Sequence, residues 1–168
     1  ALLVVVIGGK VPPGLSRPLA AALDAAVRQG DMAFKPGRTL YAGKLAGVRA
    51  PRVMFAAAAD ASPRAVKVAM AASLLALKAL AIKHLAVTLA GAAEPTDAHA
   101  EALATAVGDA VYLYRHTQPS AGPAPRLARV TLISGAAGAA AVSQGLRRGA
   151  AIVQGVKLAR ELANRPGN

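Results

Sequence analysis

The chain has 168 residues, a mass of 16.8 kDa, a formal net charge of +12 and no cysteine. That length suits one domain, which buries about 70% of its unfolded surface and needs no covalent staple. The missing thiols exclude a disulfide scaffold, thiolate zinc sites and a cysteine nucleophile, while the charge attracts polyanions, nucleic acid first and anionic membrane second.

The aliphatic run Leu2 to Ile7 ends at Gly8-Gly9 and reads as a fully buried strand of a parallel or mixed sheet. Ser16 offers an N-cap to a helix carrying Leu19, Leu23 and Val27, and Gly30 stops it. Residues 38–44 and 52–58 form two strands around a Gly/Pro-containing turn from Gly47 to Pro51. Ser62-Pro63 starts a helix running to about Ile82, because proline at the first helical position loses no needed N–H. Lys67 and Lys78 lie three turns apart on it and share a face. His84 to Leu89 is a strand stopped by Gly91, and Thr96 caps a helix over 97–110. Val111 to Tyr114 reads as a short strand, and residues 116–125, with three prolines, as a loop. Val130 to Ile133 is another strand, and Ser134 to Ala141 a Gly/Ala turn opening a helix. A last amphipathic helix covers 146–163, with Ile152, Val156, Ala159 and Ala163 as its apolar face, and 164–168 breaks it. Strands alternating with helices predict an α/β fold of three layers, with a mixed β-sheet flanked by helices. With 44 alanines and 3% aromatic residues, its core is built from Ala, Val, Leu and Ile.

Six apolar residues at the start are too few for a membrane span, which needs about 20. The stretch 65–82 carries Lys67 and Lys78 and reads as a buried helix. No basic segment precedes the first apolar run, so no signal peptide is expected. Starting inside a strand without Met, the sequence reads as a piece of something longer.

Gly155-Val156-Lys157-Leu158-Ala159-Arg160-Glu161-Leu162-Ala163-Asn164-Arg165-Pro166-Gly167-Asn168 resembles the segment that closes the N-terminal domain of leucyl aminopeptidases, the two-metal cytosol aminopeptidase family. Gly155, Ala159, Arg160, Glu161, Leu162, Asn164, Pro166 and Asn168 fit its pattern, while Arg165 is less usual. Tyr114-Arg115 looks like the family's Tyr-Arg pair. The resemblance implies a macro-domain-like fold over 1–163, with 164–168 starting the linker to a C-terminal catalytic domain. It implies that chemistry sits in that other domain, with two divalent ions, Mn or Zn, and the signature Asn-Thr-Asp-Ala-Glu-Gly-Arg, which this sequence lacks. It further implies a cytoplasmic homo-hexamer and, as in some bacterial members, duplex DNA binding.

The residues themselves point away from catalysis in this chain. Its eight carboxylates are scattered, whereas a two-metal hydrolase needs several converging on ions about 3.5–4 Å apart. In Asp97-x-His99-x-Glu101, His99 is turned about 200° from Asp97 on a helix, and Asp97 instead complements the helix dipole. Ser16, Ser62, Ser73, Ser120, Ser134 and Ser143 lack a Gly-x-Ser-x-Gly setting. His84 and His116 read as strand-end or surface residues.

The candidate nucleic-acid contacts are Arg49, Arg52, Arg64, Lys67, Lys78, Arg115, Arg126, Arg129, Arg147 and Arg148. The competing reading is a solvated surface biased by GC-rich coding, which favours Ala and Arg. With so few aromatics to stack on bases, the expected target is duplex backbone, with steep salt dependence. An alternative site is the turn at Gly135 and Gly138, whose backbone amides could cradle the phosphates of a nucleotide or ADP-ribose.

Overall fold

The computed structural model describes residues 1–91, 94–114 and 125–165. Five strands, β1 (Leu2–Val6), β2 (Thr39–Gly43), β3 (Val53–Ala57), β4 (His84–Ala90) and β5 (Arg129–Leu132), form one sheet in the order β2-β3-β1-β4-β5. β1 pairs in parallel with β3 and β4, β4 pairs in parallel with β5, and β2 runs antiparallel to β3 as a hairpin. The four helices are α1 (Arg17–Gln29), α2 (Pro63–Leu77), α3 (Asp97–Val111) and α4 (Ala139–Asn164).

Strand alternation divides the core into two layers. Leu3, Val5, Met54, Ala56, Leu85 and Val87 face α2, α3 and α4, whereas Val4, Val6, Val53 and Phe55 face α1. The expected mixed three-layer α/β fold is therefore present, with one helix on one face and three on the other.

Local signals explain most boundaries. Ser62 Oγ accepts a hydrogen bond from Ala65 N at 3.2 Å, and Pro63 opens α2. Gly30 closes α1 in the left-handed conformation at φ 81°. Thr96 Oγ1 accepts from His99 N, while His99 Nδ1 accepts from Thr96 N at 3.1 Å. This is a capping box with histidine in the place usually held by Glu or Gln.

Three expectations are corrected. The helix after Pro63 ends at Leu77, not near Ile82: Lys78–Leu80 tightens into a 3-10 turn, and Ala81 turns the chain at φ 48°. Val111 closes α3, and Tyr112–Tyr114 enters no strand ladder among the described residues. Their rings serve α4 instead: the Arg160 guanidinium lies 5.1 Å from the centre of the Tyr112 ring, and Tyr114 OH donates to Asn164 O at 2.8 Å. The last helix starts at Ala139 and not at 146, and its packed stripe is Val142, Gly145 and Gly149. The face anticipated from Ile152 and Val156 is exposed, because α4 approaches α3 through its glycines.

α3 and α4 lie side by side and run the same way: Gly145 meets Asp97, Gly149 meets Ala104, Val153 meets Gly108, and Arg160 meets Asp109. A Cβ on Gly149 would stand 2.5 Å from Ala104 Cβ, so only glycine permits this approach. Beyond Gln154 the helix is largely unpacked, and Leu158 and Leu162 are each 61% exposed.

Candidate nucleic-acid interface

Sheet topology groups residues that are far apart in sequence. In a parallel sheet all strands start at one edge. Here that edge is pinned by Leu2 N donating to Arg52 O and Ala128 N donating to Lys83 O, each at 2.9 Å. β2 ends at the same level, with Gly43 opposite Val53. The 3-10 turn after α2 is held there too, since Arg52 Nη1 donates to Leu80 O at 2.7 Å.

Of the ten anticipated cations, Arg49, Arg52, Lys78, Arg126 and Arg129 share this edge. Lys44 and Lys83 join them, though the sequence reading did not single them out; their signal was a position one residue outside a strand end. Segments 44–52, 78–84 and 125–129 contain no Asp or Glu. All seven cations are exposed except Arg52, which is half-buried, and none forms an ion pair among the described residues.

The other candidates are not brought there. Arg64 lies on the first turn of α2, at the opposite edge. Lys67 Nζ stands 3.9 Å from Asp109, so the stripe with Lys78 is divided between two settings. Arg147 donates to Ser143 Oγ at 3.0 Å. Arg148 bridges α4 to α3, reaching Asp97 at 2.8 Å and Glu101 at 3.0 Å. The Arg148 hydrogen bond, helped by the Ala98 amide, holds the Asp97 carboxyl below its ordinary range. Arg115, His116 and the rest of the proline-rich loop up to Ala124, and Pro166 to Asn168, lie outside the described residues.

The three-residue cluster around His99 is spoken for in the same way. Arg148 takes both carboxylates, while the buried His99 ring turns inward, its Nε2 donating to Ala61 O at 2.7 Å. No group of three His, Asp or Glu side chains able to hold a metal ion occurs among the described residues. At the alternative phosphate turn, Gly135 N donates to Glu94 Oε2 at 2.7 Å. A phosphate there would have to displace that carboxylate.

The C-terminal motif residues have structural work. Arg160 Nη2 binds Asp109 Oδ1 at 2.8 Å and covers Tyr112, and Asn164 Nδ2 donates to Arg160 O at 2.8 Å. Enclosure of the Tyr112 hydroxyl, then the nearby Glu161 carboxylate, raise its phenol above the usual range. Together with the Tyr114–Asn164 bond, these contacts fasten the end of α4 to the end of α3. Beside them a groove of ≈ 390 Å³ runs between Lys67, Tyr112, Ile152 and Val156.

The class so defined is an α/β domain: a three-layer scaffold with a basic strand edge and a helix projecting from one side. The chain belongs to the cytosol aminopeptidase family, whose N-terminal domain matches residues 5–120. The probable cytosol aminopeptidase of Methylibium petroleiphilum is 56% identical over the whole chain, which spans 34% of that relative. The cytosol aminopeptidase of Pseudomonas aeruginosa is 33% identical over 88% of the chain and 31% of its own length. The chain thus spans about a third of the length of these curated relatives. A tomato leucine aminopeptidase mutant shares the fold with TM-score 0.72 at 20% identity, over 98% of this chain and 35% of its own. The bottromycin maturation enzyme BotP in complex with Mn does so with TM-score 0.66 at 21% identity, over 98% of this chain and 32% of its own. No helix among the described residues is long and apolar enough to cross a membrane.

Proposed function

We propose that this chain serves a cytoplasmic, metal-dependent leucyl aminopeptidase as its non-catalytic N-terminal domain. The parent would remove N-terminal residues such as leucine from peptides. Its catalytic domain, with two divalent ions, Mn or Zn, would follow this one, and the domain would support assembly of a hexamer. The single observation that carries this reading is the second half of α4. Leu158 and Leu162 are 61% exposed on a helix whose end is nonetheless fixed by Arg160 and Asn164. A monomeric domain gains nothing by holding such a ridge rigid in water, whereas a docking surface does. A relative about three times as long has the additional chain from which such a cover would come.

The test has two parts. The isolated chain with added manganese should not turn over a leucine anilide, and chelator-sensitive turnover would overturn the reading. In the full-length protein, Leu158→Asp with Leu162→Asp should lower the sedimenting hexamer fraction. An unchanged hexamer with unchanged activity would remove the ridge from the docking surface.

A second role, duplex DNA binding, is favoured by the pairing pattern of the charges. Lys67, Arg148 and Arg160 are paired with carboxylates, while the strand-edge cations, like Arg64, Arg147 and Lys157, form no ion pair among the described residues. Binding that weakens steeply with salt would support this role, and its absence at low salt would refute it.

A further inference from the structure

We propose that the groove between α2, α3 and the second half of α4 binds a small amphipathic carboxylate, an anionic head carried on an apolar body. This goes beyond the roles proposed above and does not depend on them.

The groove exists because α3 and α4 part company. They touch where Gly145 and Gly149 leave room, and Gly108 still lies against Val153. Beyond that point the helices are bridged by longer side chains, with Arg160 reaching Asp109 at 2.8 Å. Lys67 of α2 closes the third side. The space left is ≈ 390 Å³, and small-molecule sites usually measure about 300–1,000 Å³.

Its walls are apolar, formed by Val111, Pro125, Ile152, Val153 and Val156. Ile152 is 44% and Val156 39% exposed, although both are large aliphatic residues on a helix that packs its small residues inward. An apolar body in the groove covers the two side chains that the fold leaves in water.

Charge selects the head group. Lys67, Lys157 and Arg160 line the groove against a single carboxylate, Asp109. Arg160 takes one oxygen of that carboxylate at 2.8 Å, whereas Lys67 Nζ stands 3.9 Å from the other, too far for a hydrogen bond. Lys157 forms no ion pair among the described residues. Two ammonium groups beside an aliphatic wall therefore lack full partners. A neutral ligand leaves them so, and a bare anion such as inorganic phosphate leaves the wall wet. An apolar carboxylate serves both, whether it is a fatty acid or an amino-acid end.

The test follows amide NMR shifts of this chain during titration with octanoate and, separately, with N-acetyl-leucine. The Lys67, Val111, Ile152 and Val156 amides should move together on one saturable curve, and the tighter probe names the source. N-acetyl-leucinamide and inorganic phosphate should each bind about tenfold more weakly, the first lacking the charge and the second the apolar body. Lys67→Gln with Lys157→Gln should weaken binding about tenfold. Ile152→Ser with Val156→Ser should do the same through the wall. Lys10→Gln with Lys35→Gln, two exposed lysines outside the groove, should leave binding unchanged. Circular dichroism checks that all three variants fold. Equal binding of the acid and its amide, or equal losses in the groove and control lysine pairs, would overturn the assignment. So would saturable binding by this chain that vanishes in the full-length protein, since the groove would then belong to the rest of the parent.

Discussion

Gly145→Ala tests whether glycine sets the distance between α3 and α4. A Cβ at this position would stand 2.7 Å from the carbonyl carbon of Asp97 and 2.8 Å from its Cα, and closer still to its oxygen. All three are backbone atoms, so no rotamer change can relieve the overlap. Apolar atoms rest about 3.5–4.0 Å apart, which means that the helices must separate by about an ångström or α4 must slide. Overpacking of this kind costs about 1–3 kcal/mol. It is offset by the intrinsic helix preference for alanine, about 1 kcal/mol. The expected net loss is up to about 2 kcal/mol, or up to about 8 °C in Tm for a domain of this size. Gly155→Ala in the same helix is the internal control, since a Cβ there meets nothing within 4 Å. It should gain about 1 kcal/mol from the same preference. Thermal melts of the two variants beside the parent decide the matter. Equal stabilisation by both would refute the claim that the seam is closed by glycine.

Three further outcomes follow from geometry already described. Ala81→Gly should raise stability by about 0.5 kcal/mol, because φ 48° costs an L-residue about 1–2 kcal/mol and the more flexible unfolded chain returns part of the gain; a urea midpoint no higher than the parent's would contradict this. His99→Ala should cost about 2–3 kcal/mol, since it strands the Ala61 carbonyl and half of the capping box, against about 1 kcal/mol for Thr96→Ala; similar losses in both variants would show that the Ala61 contact carries little. The Asp97 carboxyl is held low in the folded state, so its contribution is present above the unfolded value near 3.9 and is lost as pH falls through the lower folded value. Stability curves of the parent and Arg148→Gln should therefore converge as pH drops below about 4, and a constant gap down to pH 2 would argue against the pair.

The legible parts of the fold were those with local causes. β1 and β3 are runs buried on both faces, and Ser62-Pro63, Thr96 and Gly30 mark helix ends by their own side chains or backbone freedom. The start and packed face of α4 were not legible, because Gly145 and Gly149 serve close approach to α3, over 40 residues earlier. Its packed stripe is made of small residues, so the larger Ile152 and Val156 suggested the wrong face. Tyr112–Tyr114 alternates like a strand, yet its partners are Arg160 and Asn164, about 50 residues later. The candidate interface was legible only as separate charges. Its grouping depends on the crossover that seats β1 between β3 and β4, and it draws Arg52, Lys83 and Arg129 level across nearly 80 residues of sequence.

The two outermost strands bear on how cleanly such a chain stays dispersed. β5 has only four residues, and Arg129 and Thr131 on it are exposed. β2 loses its register between Tyr41 and Gly43, where the ladder to β3 shifts by one position. A flat, unbroken margin would recruit the margin of another molecule and seed fibrils, and both short length and a kinked ladder deny it that template. The most aliphatic strands, β1 and β3, are shielded from intermolecular pairing by margins too short and too bent to propagate it.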